Sequence, residues 1–165
     1  MSDNEPSLFS SILVYTGIYL LLAILLNIVL WAAETYAGVV ISTSAVGWMP
    51  PVISAMQAGQ RYGNLTGRKA TNGYAWAVSF GFVVVGFVLS MAVVAGVSAF
   101  YGVNIGQVFD EARADLTREG ISLGIIGAIL GGVALLLWVL LRFVFNIGAG
   151  TAVKAAAAAA TKAKR

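Results

Sequence analysis

The side chains that carry most enzymatic and metal chemistry are scarce in this chain of 165 residues. It has no cysteine, which excludes disulfides and thiol chemistry, and no histidine, the commonest proton shuttle and metal ligand. No nucleophile and base therefore form a recognisable pair. We predict that the protein is not an enzyme and that it holds no metal or cofactor.

Carboxylates gather in one segment, where a cation site is the alternative to ordinary charge pairing on a helix. Acidic residues and arginines alternate in this segment, which favours ion pairs three or four residues apart over metal binding. The acidic residues are Asp110, Glu111, Asp115 and Glu119, and the arginines are Arg113 and Arg118. We interpret the segment as the charged face of one helix.

A second polar segment, "GQRYGNLTGRK" at residues 59–69, interrupts an apolar part of the sequence. A phosphate-binding loop ends in Lys-Ser or Lys-Thr after its glycines, and this segment lacks that ending. Its cations Arg61, Arg68 and Lys69 are therefore interpreted as membrane-topology anchors. The alternative is that Arg68 also donates to a fixed acceptor, such as carbonyls at the end of a preceding helix, with Gly67 turning the chain.

The longer stretch "AGQRYGNLTGRKATNGYAW", residues 58–76, resembles the central motif of a family of small uncharacterised bacterial membrane proteins. That family has about four helices, with a Gly-x-x-aromatic…Gly-Arg-x-x-Thr motif between helices two and three. The matching positions in this chain are Gly59, Tyr62, Gly67, Arg68 and Thr71. The resemblance implies a four-helix protein of the bacterial inner membrane.

The composition independently indicates a membrane protein. Hydrophobic residues make up 59% of the chain and charged residues 10%, against about 25% charged residues in a soluble domain. Four uncharged runs are about as long as the roughly 20 residues that cross a bilayer. They are residues 8–33, 39–58, 74–100 and 121–141. We predict an all-α, polytopic membrane protein in which residues 1–147 form a single domain of four transmembrane helices.

Two segments depart from a simple apolar span. Pro50 and Pro51 fall in the middle of the second run, and proline removes an amide donor there, so we expect a kink or a broken helix. Residues 104–119, between the third and fourth runs, repeat apolar residues at spacings of three and four. This pattern predicts a short amphipathic helix on the membrane surface or over the bundle. Its apolar stripe consists of Ile105, Val108, Phe109, Ala112 and Leu116.

The lysines and arginines lie mainly on one side of the predicted four-span arrangement. Of the ten cations, all except Arg113 and Arg118 lie on the side that holds both termini and residues 59–73. Because cations stay in the cytoplasm, we predict that both termini are cytoplasmic. The cations sit beside apolar runs, so nucleic acid is not an expected partner. The topology anchors are Arg61, Arg68, Lys69, Arg142 and Lys154.

The fourth run carries a ladder of small residues at a spacing of four. This small-residue ladder consists of Gly120, Gly124, Ala128 and Gly132. Such a ladder lets helix backbones approach closely in lipid, where hydrophobicity does not drive association. The ladder packs either against another helix of the same chain or against a separate molecule, which is a second copy of the chain or a different membrane protein.

Residues 148–165 form an Ala- and Lys-rich cytoplasmic tail, which is either a frayed helix near anionic lipid headgroups or a disordered segment. For the whole chain we predict a non-enzymatic role as an accessory or structural subunit of a larger membrane complex. The alternative is a small oligomeric transporter or channel, with a substrate path along the interrupted second run.

Overall fold

The computed structural model describes residues 5–40, 46–118, 120 and 122–163, without the side chains of Val97, Val108, Phe109, Ala112, Thr117 and Leu123. Its helices are α1 Leu8–Ala37, α2 Met49–Thr66, α3 Asn72–Phe100, α4 Ile105–Arg118 and α5 Leu123–Ala163. No strand occurs among the described residues. The prediction of an all-α protein is confirmed.

Helices α1, α3 and α5 are each long and apolar enough to cross a membrane. They overlap the first, third and fourth apolar runs. Ser7 caps α1 by accepting from the amide of Ser10 at 3.2 Å, and Gly38 ends this helix in the left-handed conformation. Only 6% of the residues in the apolar window of each helix are buried inside the protein, so the chain itself fully encloses few of them.

The second apolar run differs from its prediction. We expected Pro50 and Pro51 to interrupt the middle of a span over residues 39–58, but α2 begins just before them. They lie in its first turn, where an amide hydrogen has no partner within the helix. Residues 41–45 of the run lie outside the described part. Among the described helices, α2 is not one of those with spanning length and hydropathy.

The chain divides into two compact units. The first comprises residues 1–82 and 138–165, and the second comprises residues 83–137. The second unit contains the end of α3, all of α4 and the beginning of α5, with Gly102 and Gly120 beside α4 in left-handed conformations that favour glycine. Helix α4 occupies the segment predicted to be amphipathic.

In the first unit, α2 and α5 cross with their backbones almost in contact. A Cβ atom built on Gly59 would lie 2.1 Å from the carbonyl oxygen of Phe145, and one on Gly63 would lie 2.5 Å from that of Ala149. Gly148 approaches the backbone of α2 in the same way. These distances are too short for any side chain, so the crossing depends on glycine on both helices.

Aromatic side chains fill the interior of the first unit between α1, α2, α3 and α5. Tyr15 stacks on Phe82 with ring centroids 4.0 Å apart. Tyr62 lies 5.0 Å from Tyr74 and 5.7 Å from Phe145, again between centroids. All five rings are buried. Each such pair contributes about 0.5–1.5 kcal/mol beyond the area that it buries.

Helix α5 continues without a break past residue 147, where we predicted the tail to begin. Ala149 and Ala152 are buried in the first unit, so this part of the predicted tail belongs to the packed structure. Residues 155–163 are helical and exposed. Because alanine has the highest helix propensity, the alanine run extends the helix without needing packing contacts.

Candidate functional site

The carboxylate of Glu5, which precedes α1, contacts the side chains of three residues of the loop motif. The Oε1 atom of Glu5 accepts hydrogen bonds from Tyr62 Oη at 3.1 Å and from Thr71 Oγ1 at 3.0 Å. Arg68 Nη2 lies 3.6 Å from the same oxygen. We call these four residues the Glu5 cluster. It connects the N-terminal segment to the end of α2 and to the start of α3.

The turn between α2 and α3 brings two members of the cluster towards Glu5. Gly67 ends α2 with a φ of 65°, a conformation that favours glycine. The hydroxyl of Thr66 donates to the carbonyl of Arg68 at 3.1 Å and closes the turn. The carbonyl of Thr71 then accepts from the amide of Ala75 at 3.0 Å, which begins α3. The local sequence therefore sets the positions of both Arg68 and Thr71.

The members of the Glu5 cluster differ in exposure and in strength of interaction. The Glu5 side chain is 9% exposed and the Arg68 side chain is 42% exposed. A pair this accessible contributes about 0–1 kcal/mol, whereas a hydrogen bond to a shielded carboxylate contributes about 1.5–3 kcal/mol. Burial, then the hydrogen bond to Glu5 and its charge, raise the pKa of Tyr62. Tyr62 therefore remains a protonated donor at neutral pH.

The five residues of the family-like motif have three different positions in the structure. Tyr62, Arg68 and Thr71 meet at Glu5, Gly59 lies in the crossing of α2 and α5, and Gly67 forms the turn. The acceptor suggested for Arg68 was a helix carbonyl, but the structure has a carboxylate beside it. Sequence reasoning missed Glu5, whose one signal was an acidic side chain three residues before the first apolar run.

A second polar site lies where α5 passes the start of α3. Arg142 Nη2 donates to Asn72 Oδ1, and the guanidinium carbon lies 4.4 Å from the centroid of the Trp76 ring. Trp138 Nε1 donates to the carbonyl of Trp76 at 3.0 Å. Beside these residues is a groove of about 500 Å³, which we call the cationic groove. Its polar lining consists of Lys69, Arg142, Asn146, Thr151 and Lys154.

The five predicted topology anchors lie in three environments. Arg68 belongs to the Glu5 cluster, and Lys69, Arg142 and Lys154 line the cationic groove. Arg61 lines a different groove, of about 640 Å³, between α1 and α2. The α2 side of that groove carries the amide side chains of Gln57, Gln60 and Asn64. The anchoring role of these cations stays a prediction.

The small-residue ladder is exposed within the described chain. Gly124, Ala128 and Gly132 have exposed positions on α5, and a Cβ atom on Gly132 would meet no atom within 4 Å. Gly120 lies in the turn before α5, with a φ of 76°. Close packing of the ladder, against another helix of this chain or against a partner, stays a prediction.

The acidic segment on α4 shows an ordinary ion pair. Arg118 Nη1 lies 3.4 Å from Asp115 Oδ1, and both side chains are mostly exposed. Among the described residues, no group of three acidic, histidine or cysteine side chains is placed to hold a metal ion. Glu119, the last acidic residue of the segment, lies outside the described residues.

Comparison with known proteins gives no relative for this chain. No protein-family model matches it, and no curated protein or solved structure matches it significantly. The resemblance to four-helix inner-membrane proteins therefore stays a prediction. The function has to be inferred from the residues and contacts of the chain itself.

Proposed function

We propose that the chain is a non-enzymatic, multi-pass protein of the bacterial inner membrane that serves as an accessory or structural subunit of a larger membrane complex. The observation that carries the proposal is that only 6% of the residues in the apolar window of each of three helices of spanning length are buried within the chain. Exposed small residues on α5, among them Gly124 and Ala128, supply a face on which another helix packs closely in lipid.

Four membrane crossings with both termini in the cytoplasm are part of the proposal. Helix α1 has 30 residues and is therefore about 45 Å long. Glu5 precedes α1 and lies beside Arg68, which follows α2, so the chain returns along the length of α1 between residues 38 and 66. This return supports a second crossing that includes the N-terminal part of α2.

A small oligomeric transporter or channel is the second candidate. The groove of about 640 Å³ between α1 and α2 favours it, because three amide side chains face the apolar residues of α1 there. Amides inside a membrane protein commonly line a polar path or bond to another helix. Several copies are needed in this case, since four helices enclose little volume.

Purification in mild detergent from membranes of the native host, followed by mass spectrometry of co-purifying proteins, tests the proposal. We expect a stoichiometric partner that is lost in Gly124→Leu and Ala128→Leu, because leucine separates backbones that small residues bring together. Gly96→Leu, on an exposed part of α3 with no atom near its Cβ position, is the matched control and retains the partner. A homogeneous homo-oligomer selects the second candidate, and a monomer without partners contradicts both.

A further inference from the structure

The cationic groove concentrates positive charge without a carboxylate to balance it. Lys69, Arg142 and Lys154 all line it, and its lining contains no acidic residue. Among the described residues, the ion pairs within 4.0 Å involve other cations, so no described carboxylate neutralises these three. Its volume of about 500 Å³ is within the range of small-molecule sites. A ligand with negative charge fits this lining.

One of the three cations is held in place by neighbouring residues, and a second lies close to the backbone of α5. Arg142 is fixed by the Asn72 side chain and by the face of the Trp76 ring. The Cε atom of Lys69 lies close over α5, where a Cβ atom built on Gly150 would approach it to 3.3 Å. Glycine at this position therefore makes room for the lysine stem. Arg142 is therefore arranged before any ligand arrives, which reduces the entropy lost on binding.

The wall of the groove also holds one donor and one acceptor that are unsatisfied. Arg142 Nε and Asn146 Oδ1 are shielded from solvent and have no hydrogen-bond partner among the described residues. The two residues are four apart on α5 and therefore share a face of the helix. Both residues line the groove, so Asn146 Oδ1 is the acceptor for a ligand hydroxyl, while the guanidinium of Arg142 stays on Asn72 and Trp76 and attracts a phosphate by its charge.

The surroundings of the groove indicate a ligand that is partly apolar. Phe143 and Ile147 line the same groove and are 55% and 59% exposed. Arg142 directly follows the uncharged residues 123–141 of α5. Trp76 and Trp138 lie beside it, and tryptophan is enriched at the level of lipid headgroups. The charged part of the groove therefore adjoins apolar side chains, as the two parts of a phospholipid do.

We propose that the cationic groove binds the headgroup of an anionic phospholipid, with its phosphate on Lys69, Arg142 and Lys154 and a headgroup hydroxyl on Asn146. This inference rests on the proposed membrane location, but it holds for either candidate function. It differs from a general attraction between basic residues and lipid, because it assigns the contacts to defined positions and leaves the tail cation Lys162 without a role.

Lipid titration of the purified protein, followed by native mass spectrometry, tests the proposal. The probes are phosphatidylglycerol, which is anionic and carries hydroxyls, and phosphatidylcholine with the same acyl chains. We expect tighter binding of phosphatidylglycerol to the wild-type protein, and about fivefold weaker binding for each of Lys69→Gln and Lys154→Gln. Lys162→Gln makes the same charge change outside the groove, on the helix that carries Lys154, and leaves the affinity unchanged.

Three results overturn the proposal. An equal loss of affinity in Lys162→Gln means diffuse attraction rather than a site, and unchanged affinity in both groove variants means that the groove is not used. If free glycerol phosphate competes for the groove as effectively as phosphatidylglycerol does, the groove is a site for soluble phosphates. Recovery of the protein outside the membrane fraction instead contradicts the proposed function, so the two failures are distinguishable.

Discussion

Glu5 accepts hydrogen bonds from two hydroxyl groups and lies beside Arg68, so a single carboxylate links three parts of the chain. Glu5→Ala removes this acceptor and leaves the buried Tyr62 hydroxyl without a partner. We expect a loss of about 1–3 kcal/mol in unfolding free energy. The measurement is the melting temperature of the protein in detergent.

Arg68→Lys serves as the comparison within the same cluster. Arg68 is half exposed, so we expect its replacement to cost less than about 1 kcal/mol. Glu34→Ala, which removes an exposed carboxylate from the other end of α1, is the control and leaves the melting temperature unchanged. A Glu5→Ala variant as stable as Glu34→Ala would show that the cluster contributes nothing to the fold.

Tyr62 makes the stability of the folded protein depend on pH. Burial and the contact with Glu5 raise the pKa of Tyr62 above its ordinary value of 10.0. Above about pH 10 the unfolded chain releases this proton while the folded chain keeps it, so the stabilisation present at lower pH is lost as pH rises. We expect the wild-type melting temperature to fall more steeply above pH 10 than that of Tyr62→Phe. Parallel curves would contradict the assigned environment of Tyr62.

The crossing of α2 and α5 requires glycine at position 59. Alanine is a better helix former than glycine, but the Cβ atom of Gly59→Ala would lie 2.1 Å from the carbonyl oxygen of Phe145. The helices have to move apart, and such overpacking costs about 1–3 kcal/mol. We therefore expect a lower melting temperature in detergent.

Gly73→Ala is the matched control for the crossing, because its Cβ position has no atom within 4 Å. This substitution lies in the first turn of α3 and is expected to be neutral or to stabilise by about 0.4–1 kcal/mol. If Gly59→Ala melted at the same temperature as Gly73→Ala, the close approach of α2 and α5 would be excluded.

The helices differ in how well the sequence predicts them. α1, α3 and α5 follow from long uncharged runs, because a spanning helix needs only length and apolar composition. The start of α2 does not, since Pro50 and Pro51 fit both the middle of a broken span and the first turn of a helix. For the exposed alanine run beyond residue 154, the sequence allowed either a helix or a disordered segment. The structure has a helix there, which the high helix propensity of alanine favours.

The candidate site was predictable only in part. The resemblance to a family motif singled out Tyr62, Arg68 and Thr71, which are three of the four members of the Glu5 cluster. Glu5 itself is 57 residues from Tyr62 and 66 from Thr71, and no local pattern connects residues so far apart. The cationic groove could not be predicted for the same reason. Lys69 and Arg142 come together only because α5 packs against the start of α3.

The number of membrane crossings in the chain determines which charged residues lie on the same side of the membrane. Three spanning helices alone place the two termini on opposite sides. A fourth crossing places them on the same side, together with the C-terminal end of α2, which carries Arg61. The contact of Glu5 with Arg68 favours the fourth crossing, because it brings the chain back to the start of α1.

We therefore infer that the termini and the C-terminal end of α2, which carries Arg61, lie together in the cytoplasm, and labelling of single cysteines measures this arrangement. The chain has no cysteine of its own, so Arg61→Cys, Arg113→Cys and Lys162→Cys each give one reactive site. With a membrane-impermeant thiol reagent on cells whose outer membrane is permeabilised, we expect labelling of Arg113→Cys alone. The other two should react only after the inner membrane is opened. Labelling of Lys162→Cys or Arg61→Cys with the inner membrane closed would contradict the four-crossing arrangement.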